Sequence, residues 1–276
     1  MGRQGRIAPG RDRSSAAAAV SAHGLHLHAW AMLESMCGRF ARRSTQQVLA
    51  DWFGVKMEDD AMEEAAAFTP TFNAAPQTFQ PVVRMNRDSG AREFALLRWG
   101  LAPAWAKDPK CGYSLINARA EDAAEKPAFR EALKKRRCLV PVDAFYEWQR
   151  LSSRRRAPYA FALRSGEPYA LAGLFERWRA KDGQPLETFT ILTTDPNELM
   201  ESVHDRMPVI LEPRDYARWL ESGTTERPPL DLFRPLPAGK MKKWRVSERV
   251  GNVRNNDPAL LEEVEKKEEP AQGNLF

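Results

Sequence analysis

Apolar positions spaced three and four apart mark the first element of the chain. Val48, Leu49, Trp52 and Phe53 share one helical face, behind a Ser44–Gln47 capping box and ahead of Gly54, and predict a helix. Residues 56–67, acidic and alanine-rich, predict a second short helix or a solvated connection. After the loop Pro70–Pro76 the apolar period shortens to two, and residues 79–84 and 92–99 predict a hairpin around Asp88-Ser89-Gly90. Further strands are predicted at 138–142, 145–149, 159–163, 169–175 and 188–193, with a last one from Trp244 to Val250. Short helices are predicted after Pro127, from Asp195-Pro196-Asn197-Glu198, and after Pro213, where Tyr216, Trp219 and Leu220 form the apolar side. Strands dominate, helices are inserted, and neither a βαβ alternation nor an internal repeat occurs. The fold class is α+β, a single domain with a mainly antiparallel core.

Composition narrows the class without naming a function. The 276 residues are 43% hydrophobic and 29% charged, ordinary for a soluble globular protein with ample core. Of the net charge of +5, the first 35 residues hold four arginines against Asp12 and Glu34, so any basic surface on the remainder is local. Cys37, Cys111 and Cys138 are an odd number without paired spacing. That argues against a disulfide framework or a zinc site and fits a reducing cytoplasm, with Cys111 and Cys138 as buried structural thiols. No stretch is apolar enough for long enough to span a bilayer. Neither a metal nor a cofactor is expected.

A few polar residues stand in surroundings that invite chemistry. Glu147 lies among aromatics in Phe145-Tyr146-Glu147-Trp148, where partial burial would raise its pKa toward neutrality. His204 is the only histidine after residue 28, so imidazole chemistry in the folded domain must use it. Asn117 follows the apolar Leu115-Ile116 and precedes Arg119. Trp105 sits on a proline-bounded loop rather than a periodic face, and aromatics on loops beside arginines suit base stacking. Cys37 follows Met36. If Met36 were the true start and were removed, Cys37 would carry a free amine and a thiol on adjacent carbons, a pair that captures aldehydes as a thiazolidine. Read singly, these residues leave structural alternatives open: Glu147 alternating outward, His204 pairing with Asp205 or capping a helix, Asn117 holding a turn. The run Lys134–Arg137 reads as a solvated helix end.

Taken in order, seven stretches resemble the SOS-response-associated peptidase (SRAP) family. They are Met36–Phe40, Asn73–Pro76, Arg98–Trp105, Asn117–Glu121, Phe145–Trp148, His204–Pro208 and Val250–Val253. The resemblance covers Cys37 to about Asn255 and implies an antiparallel, barrel-like α+β domain that crosslinks to abasic sites in single-stranded DNA. It implies Cys37 as the crosslinking residue, Asn117 as the group orienting it, Glu147 as proton shuttle and His204 as the assistant in ring opening and Schiff-base steps. Arg39, Asn73, Trp105, Arg119 and Trp148 would hold the DNA, and a self-processing peptidase activity would act at the same site. Two positions depart from the family pattern: Ala144 stands where glycine is usual, and Ala106 where some members have a second tryptophan.

The ends and the partners complete the expectations. Residues 1–35 are read as a disordered leader or as upstream sequence absent from the active protein, ahead of a domain at 36–255 and a charged, disordered tail at 256–276. A signal peptide cleaved at Ala29-Trp30-Ala31 or an organellar transit peptide fits less well. Gln272-Gly273-Asn274-Leu275-Phe276 resembles the peptides that dock on replication sliding clamps, with Gln272, Leu275 and Phe276 as anchors. A monomer is expected, cytoplasmic and nucleoid-associated when on DNA. Two other functional classes fit parts of the pattern: a cysteine peptidase acting on other proteins through Cys37, His204 and Glu147, and a non-catalytic single-strand-binding module.

Overall fold

Alternating and doubly buried strands are the main regular structure in the computed structural model, which describes residues 37–57, 68–180, 183, 185–221 and 227–265. Five of them close into a barrel: β3 (Phe79–Met85), β4 (Arg92–Trp99), β10 (Pro185–Thr194), β9 (Tyr169–Arg179) and β6 (Arg137–Val142). The ring closes because β10 pairs both β9 and β4. The β4–β10 pair is parallel, with Thr188 opposite Arg98, and the other four contacts of the ring are antiparallel. The expected barrel-like, mainly antiparallel α+β domain is therefore what the chain forms.

A second sheet packs its own strands in the order β13 (Met241–Arg245), β8 (Arg156–Leu163), β7 (Ala144–Arg150), β1 (Phe40–Arg42) and β2 (Thr71–Ala74). The chain passes from β6 in the barrel to β7 in this sheet through Asp143 alone. Its carboxylate accepts the backbone N–H groups of Arg43 and Ser44, at 2.7 and 3.0 Å, and the Ser44 hydroxyl at 2.6 Å. One face of β7 therefore meets the cluster that fills the barrel side, with Phe145 stacked on Phe161 at 5.1 Å. The other face meets a smaller cluster containing Tyr146, Val246, Val250 and Leu260.

Three short strands fix the site-bearing segments. β5 (Asn117–Arg119) runs parallel to β10, with Asn117 opposite Ile191. β11 (Met207–Pro208) pairs the end of β10, and β12 (Ile210–Leu211) pairs β9. The C-terminal half of β10 thus lies between the Asn117 and His204 segments. The loop before β5 is held where Gly112 packs against Gly100; a Cβ on Gly112 would lie 2.3 Å from the Gly100 carbonyl oxygen, so no larger residue fits.

The helices are short: α1 (Gln46–Phe53), α2 (Arg130–Lys135), α3 (Glu198–Glu201) and α4 (Tyr216–Leu220). Gly54 ends α1 in the left-handed conformation at φ 65°, as its position suggests. The N-cap, however, is Thr45, whose side chain accepts the Val48 N–H, because Asp143 takes the Ser44 hydroxyl. The last strand also departs from its expected place. β13 begins at Met241 and stops at Arg245, ahead of a 3₁₀ turn from Glu248 to Gly251. An edge strand bonded only to β8 tolerates Lys242 and Lys243, which masked its start. Cys138 is fully buried, whereas Cys111 is only half-buried.

Ordered structure continues past Asn255, which corrects the tail expected from residue 256. Pro258–Leu261 forms a 3₁₀ turn, Leu260 is buried, and the Val264 N–H donates to the Arg245 carbonyl at 2.9 Å. Apolar residues among the charges supply that anchor. The 1–35 segment, residues 58–67 of the stretch 56–67 expected as a short helix or a solvated connection, and the Gln272–Phe276 peptide lie outside the described residues. Among the described residues no helix is long and apolar enough to cross a membrane.

Candidate active site

The β1–β7 register builds the centre of the site. Phe40 lies opposite Phe145 in an antiparallel pair, so continuing the ladder backwards brings Gly38 level with Glu147. There the Cys37 backbone N–H donates a short hydrogen bond to Glu147 Oε1. Both residues are buried, Cys37 completely and Glu147 at 3% exposure. Cys37 also holds a left-handed φ of 47°, a conformation that costs a non-glycine residue about 1–2 kcal/mol.

Burial sets the protonation states. It pushes the Glu147 carboxyl up to about 8, against the lowering effect of the Cys37 and Trp148 N–H groups and with a further push from Asp205. Burial, and behind it the Glu147 charge, holds the Cys37 thiol well above the ordinary thiol range. Near neutrality the acid is mostly protonated and the thiol is not a thiolate.

His204 follows α3 and precedes β11. Its Nδ1 lies 3.1 Å from the Arg206 N–H, a bond that requires an unprotonated Nδ1, and 2.9 Å from Asp205, a bond that requires a protonated one. Burial lowers the imidazole pKa despite Asp205, which favours the neutral ring, with Nδ1 accepting from the backbone and the proton on Nε2. Ile116, Phe145, Val203 and Cys37 belong to one buried apolar cluster. Asn117, Glu147 and His204 are therefore each one or two residues from a common core. Asn117 is positioned through Ile116, whose carbonyl accepts from Trp99 Nε1 at 2.9 Å and from the Ile191 N–H at 3.1 Å.

The residues expected to hold DNA separate into two groups. Trp105 is 69% exposed on a loop whose Ala106 carbonyl accepts from Trp178 Nε1 at 2.7 Å, and Arg119 is exposed on β5. Asn73 is different, because its side chain is engaged within the protein. At 5% exposure its amide donates to the carbonyls of Val250, Asn252 and Asn255 at 3.2, 3.0 and 2.9 Å, and its oxygen accepts from Arg39 at 3.0 Å. It ties down the 250–255 segment. Trp148 is half-buried and alternates to the face of β7 opposite Glu147, against the smaller cluster. Arg39 is half-buried between these groups, bonded to Asn73 and to the Val250 carbonyl at 2.8 Å, and burial lowers its pKa to about 10. Asn73→Ala is expected to cost about 2–4 kcal/mol in urea unfolding, from three carbonyls and one guanidinium losing a buried partner. A loss below about 1 kcal/mol would return Asn73 to the ligand-binding set.

Arg206 was given no role by its sequence, yet it joins two of the motifs. It bonds Glu121 at 2.7 Å, Asp195 at 3.0 Å and the Thr193 carbonyl at 2.8 Å. It thereby fixes the His204 segment to the end of β10 and to the residues after β5. The signal was present: opposite charges in two of the seven stretches, Asn117–Glu121 and His204–Pro208.

The chain is 42% identical over 228 residues to the abasic site processing protein YoqW of Bacillus subtilis, across 82% of this chain and 99% of that one. It is 32% identical over 247 residues to the mouse abasic site processing protein HMCES, covering 75% of this chain and 69% of the relative. A crystal structure of a Bacteroides thetaiotaomicron protein superposes with a TM-score of 0.74 at 25% identity, over 83% of this chain and all of that one. The family model described as SOS response associated peptidase (SRAP) matches residues 36–253, the span that carries both sheets and every candidate catalytic and DNA-binding residue. With most of its length accounted for in this way, the chain belongs to the SRAP family.

Proposed function

We propose that this protein processes abasic sites, binding single-stranded DNA and linking itself to the lesion aldehyde through Cys37 once the preceding residues are gone. The observation that carries the reading is the bond from the Cys37 nitrogen to Glu147. That nitrogen is the atom that must attack the aldehyde, and its partner is a buried carboxyl poised near neutral pH. A free α-amine ordinarily titrates near 7.7–8.0, so amine and acid exchange a proton at little cost.

The chemistry balances in three steps. The amine adds to the aldehyde carbon, giving a carbinolamine. Glu147 in its acid form protonates the departing hydroxyl, water leaves, and an imine forms. The Cys37 thiol then adds to the imine carbon, its proton passes through Glu147 to the nitrogen, and the thiazolidine closes. Asn117 orients the reacting groups. His204, neutral and carrying its proton on Nε2, assists opening of the sugar to the aldehyde. Trp105 and Arg119, with Arg39 at the edge, contact bases and phosphates.

The same bond suits self-processing. Water adds to the Met36 carbonyl, the carbon–nitrogen bond breaks, and Glu147 hands its proton to the departing nitrogen. Cleavage also abolishes the φ torsion of Cys37, releasing its left-handed strain. A general cysteine peptidase would need an activated thiolate, whereas this thiol is held protonated by its surroundings. A non-covalent DNA-binding module would have no use for the buried acid on Cys37.

The test uses a uracil-containing single-stranded oligonucleotide treated with glycosylase. Protein beginning at Cys37, verified by intact mass, is expected to give a gel-stable adduct. Protein with an uncleavable extension before Cys37 is expected to give none. Equal adduct from both would remove the α-amine from the mechanism.

A further inference from the structure

One buried ring touches the two segments that carry Cys37 and Asn117. Trp99, the last residue of β4, is fully buried at the seam of the barrel, opposite Phe189 on β10. Its indole stacks on the Phe189 ring at 6.1 Å and leans on the Phe40 ring at 5.2 Å between centroids. Phe40 opens β1, three residues after Cys37, and pairs Phe145, two residues before Glu147. The Trp99 backbone is held as well. Its carbonyl accepts from the Gln77 N–H at 2.8 Å and from Gln77 Nε2 at 3.2 Å, and its N–H donates to the Thr78 carbonyl at 3.0 Å. An indole packed on two rings and fixed at its own backbone gives its N–H one direction.

That N–H donates to the Ile116 carbonyl at 2.9 Å, and the Ile191 N–H donates to the same oxygen at 3.1 Å. A carbonyl oxygen has two lone pairs, and both are used here, one from β4 and one from β10. The peptide unit is planar, so the Ile116 oxygen, the Asn117 nitrogen and the Asn117 Cα lie in one plane. A single donor leaves that plane free to tilt about the hydrogen bond, and a second donor from another strand removes the freedom. The direction of the Asn117 side chain is therefore set from β4 as well as from the β10 ladder. Stability depends on this bond less than direction does. Without the indole N–H the oxygen keeps its Ile191 donor and is not orphaned.

We propose that Trp99 is a positioning residue for the reaction: its ring abuts the strand of Cys37 through Phe40, and its N–H orients the Ile116–Asn117 peptide, so that it sets how Asn117 stands to the Cys37 amine. Trp99 is fully buried, so it acts through Asn117 and not on the DNA. The proposal rests on the abasic-site reading and adds to it the group that holds two distant motifs in one geometry.

Trp99→3-benzothienylalanine keeps the fused ring and its volume and removes the N–H. Adduct formation by protein beginning at Cys37 is followed on the glycosylase-treated oligonucleotide over a range of DNA concentrations. The limiting rate is expected to fall about tenfold, because a small misplacement is costly in an oriented reaction. The half-saturating DNA concentration should change by less than about twofold, and the melting temperature by less than about 4 °C. Beside Asn117→Ala the same replacement should slow the reaction by less than about twofold, since the residue it positions is gone. A limiting rate within about twofold of the parent overturns the proposal, as does a tenfold loss that persists beside Asn117→Ala. If the parent itself forms no adduct, the abasic-site reading fails separately. Trp99 is then judged by hydrogen exchange at the Asn117, Ala118 and Arg119 amides. Exchange there must quicken about tenfold in the benzothienyl variant, and unchanged exchange removes Trp99 from the positioning role.

Discussion

Glu147→Gln is expected to make the protein more stable above pH 8 while slowing adduct formation by about 10²–10⁴. The two effects share one cause. A carboxyl held near 8 in the fold, against an ordinary value of about 4.3, binds its proton more tightly folded than unfolded. Its penalty is absent below pH 4, grows as pH rises through the window from 4.3 to 8, and is constant above. Each tenfold gain in proton affinity is worth about 1.4 kcal/mol, which makes the full penalty on the order of 5 kcal/mol. Glutamine keeps an oxygen for the Cys37 N–H and carries no charge to desolvate, so it escapes the penalty at every pH. Urea unfolding at pH 5 and pH 8.5 reads this directly, in the chain with the bond before Cys37 intact. The variant should match the parent within about 1 kcal/mol at pH 5 and exceed it at pH 8.5. A variant less stable than the parent at pH 8.5 would mean that Glu147 is ionised and well paired in the fold.

That burial was the point at which the sequence ran out. Strand positions were legible where apolar periodicity was clean: the hairpin at 79–85 and 92–99, and the strands at 137–142, 144–150 and 169–179, fall close to where the pattern puts them. Glu147 was harder to place, because β7 is buried on both faces from Ala144 to Glu147 and alternation had no polar side to mark. Closure of the barrel was invisible for another reason. Its seam is the parallel β4–β10 pair, which joins Arg98 to Thr188 far along the chain and leaves no local trace. The same distance hid the work of Asn73, whose three carbonyl partners lie between Val250 and Asn255. Motif membership singled out Asn73 and Trp148, but not that Asn73 is bonded to the 250–255 segment or that Trp148 packs on the smaller cluster. Such residues shape the site by holding its scaffold, and a motif records both kinds alike.

In the proposed function the substrate arrives as a single strand and is then held covalently. Trp105 and Arg119 are exposed, whereas Cys37 and Glu147 are buried. On that proposal, contacts to bases and phosphates lie at the rim, and the proton chemistry lies in a drier interior where hydrogen bonds are stronger. A buried acid beside the Cys37 nitrogen costs stability, as functional sites commonly do.

Cys37→Ser separates the two halves of the proposed chemistry. Serine leaves the α-amine in place, so the imine should still form through Glu147. A hydroxyl is a much weaker nucleophile than a thiol, and ring closure on the imine should be slower by about 100-fold or more. The imine then persists, its electron-withdrawing carbon acidifies the neighbouring sugar proton, and the 3′ phosphate leaves by β-elimination. The expected result is a loss of heat-stable adduct of about 100-fold, a matching rise in cleaved strand, and recovery of the adduct when borohydride reduces the imine. The substitution is nearly isosteric, and a buried hydroxyl in place of the thiol should cost about 1–3 kcal/mol, which a melting curve checks before any activity is read. Heat-stable adduct at the parental level without borohydride would exclude the thiol from the linkage. Loss of adduct together with loss of borohydride trapping would instead move the defect to the amine, and with it the role given to the bond between Cys37 and Glu147.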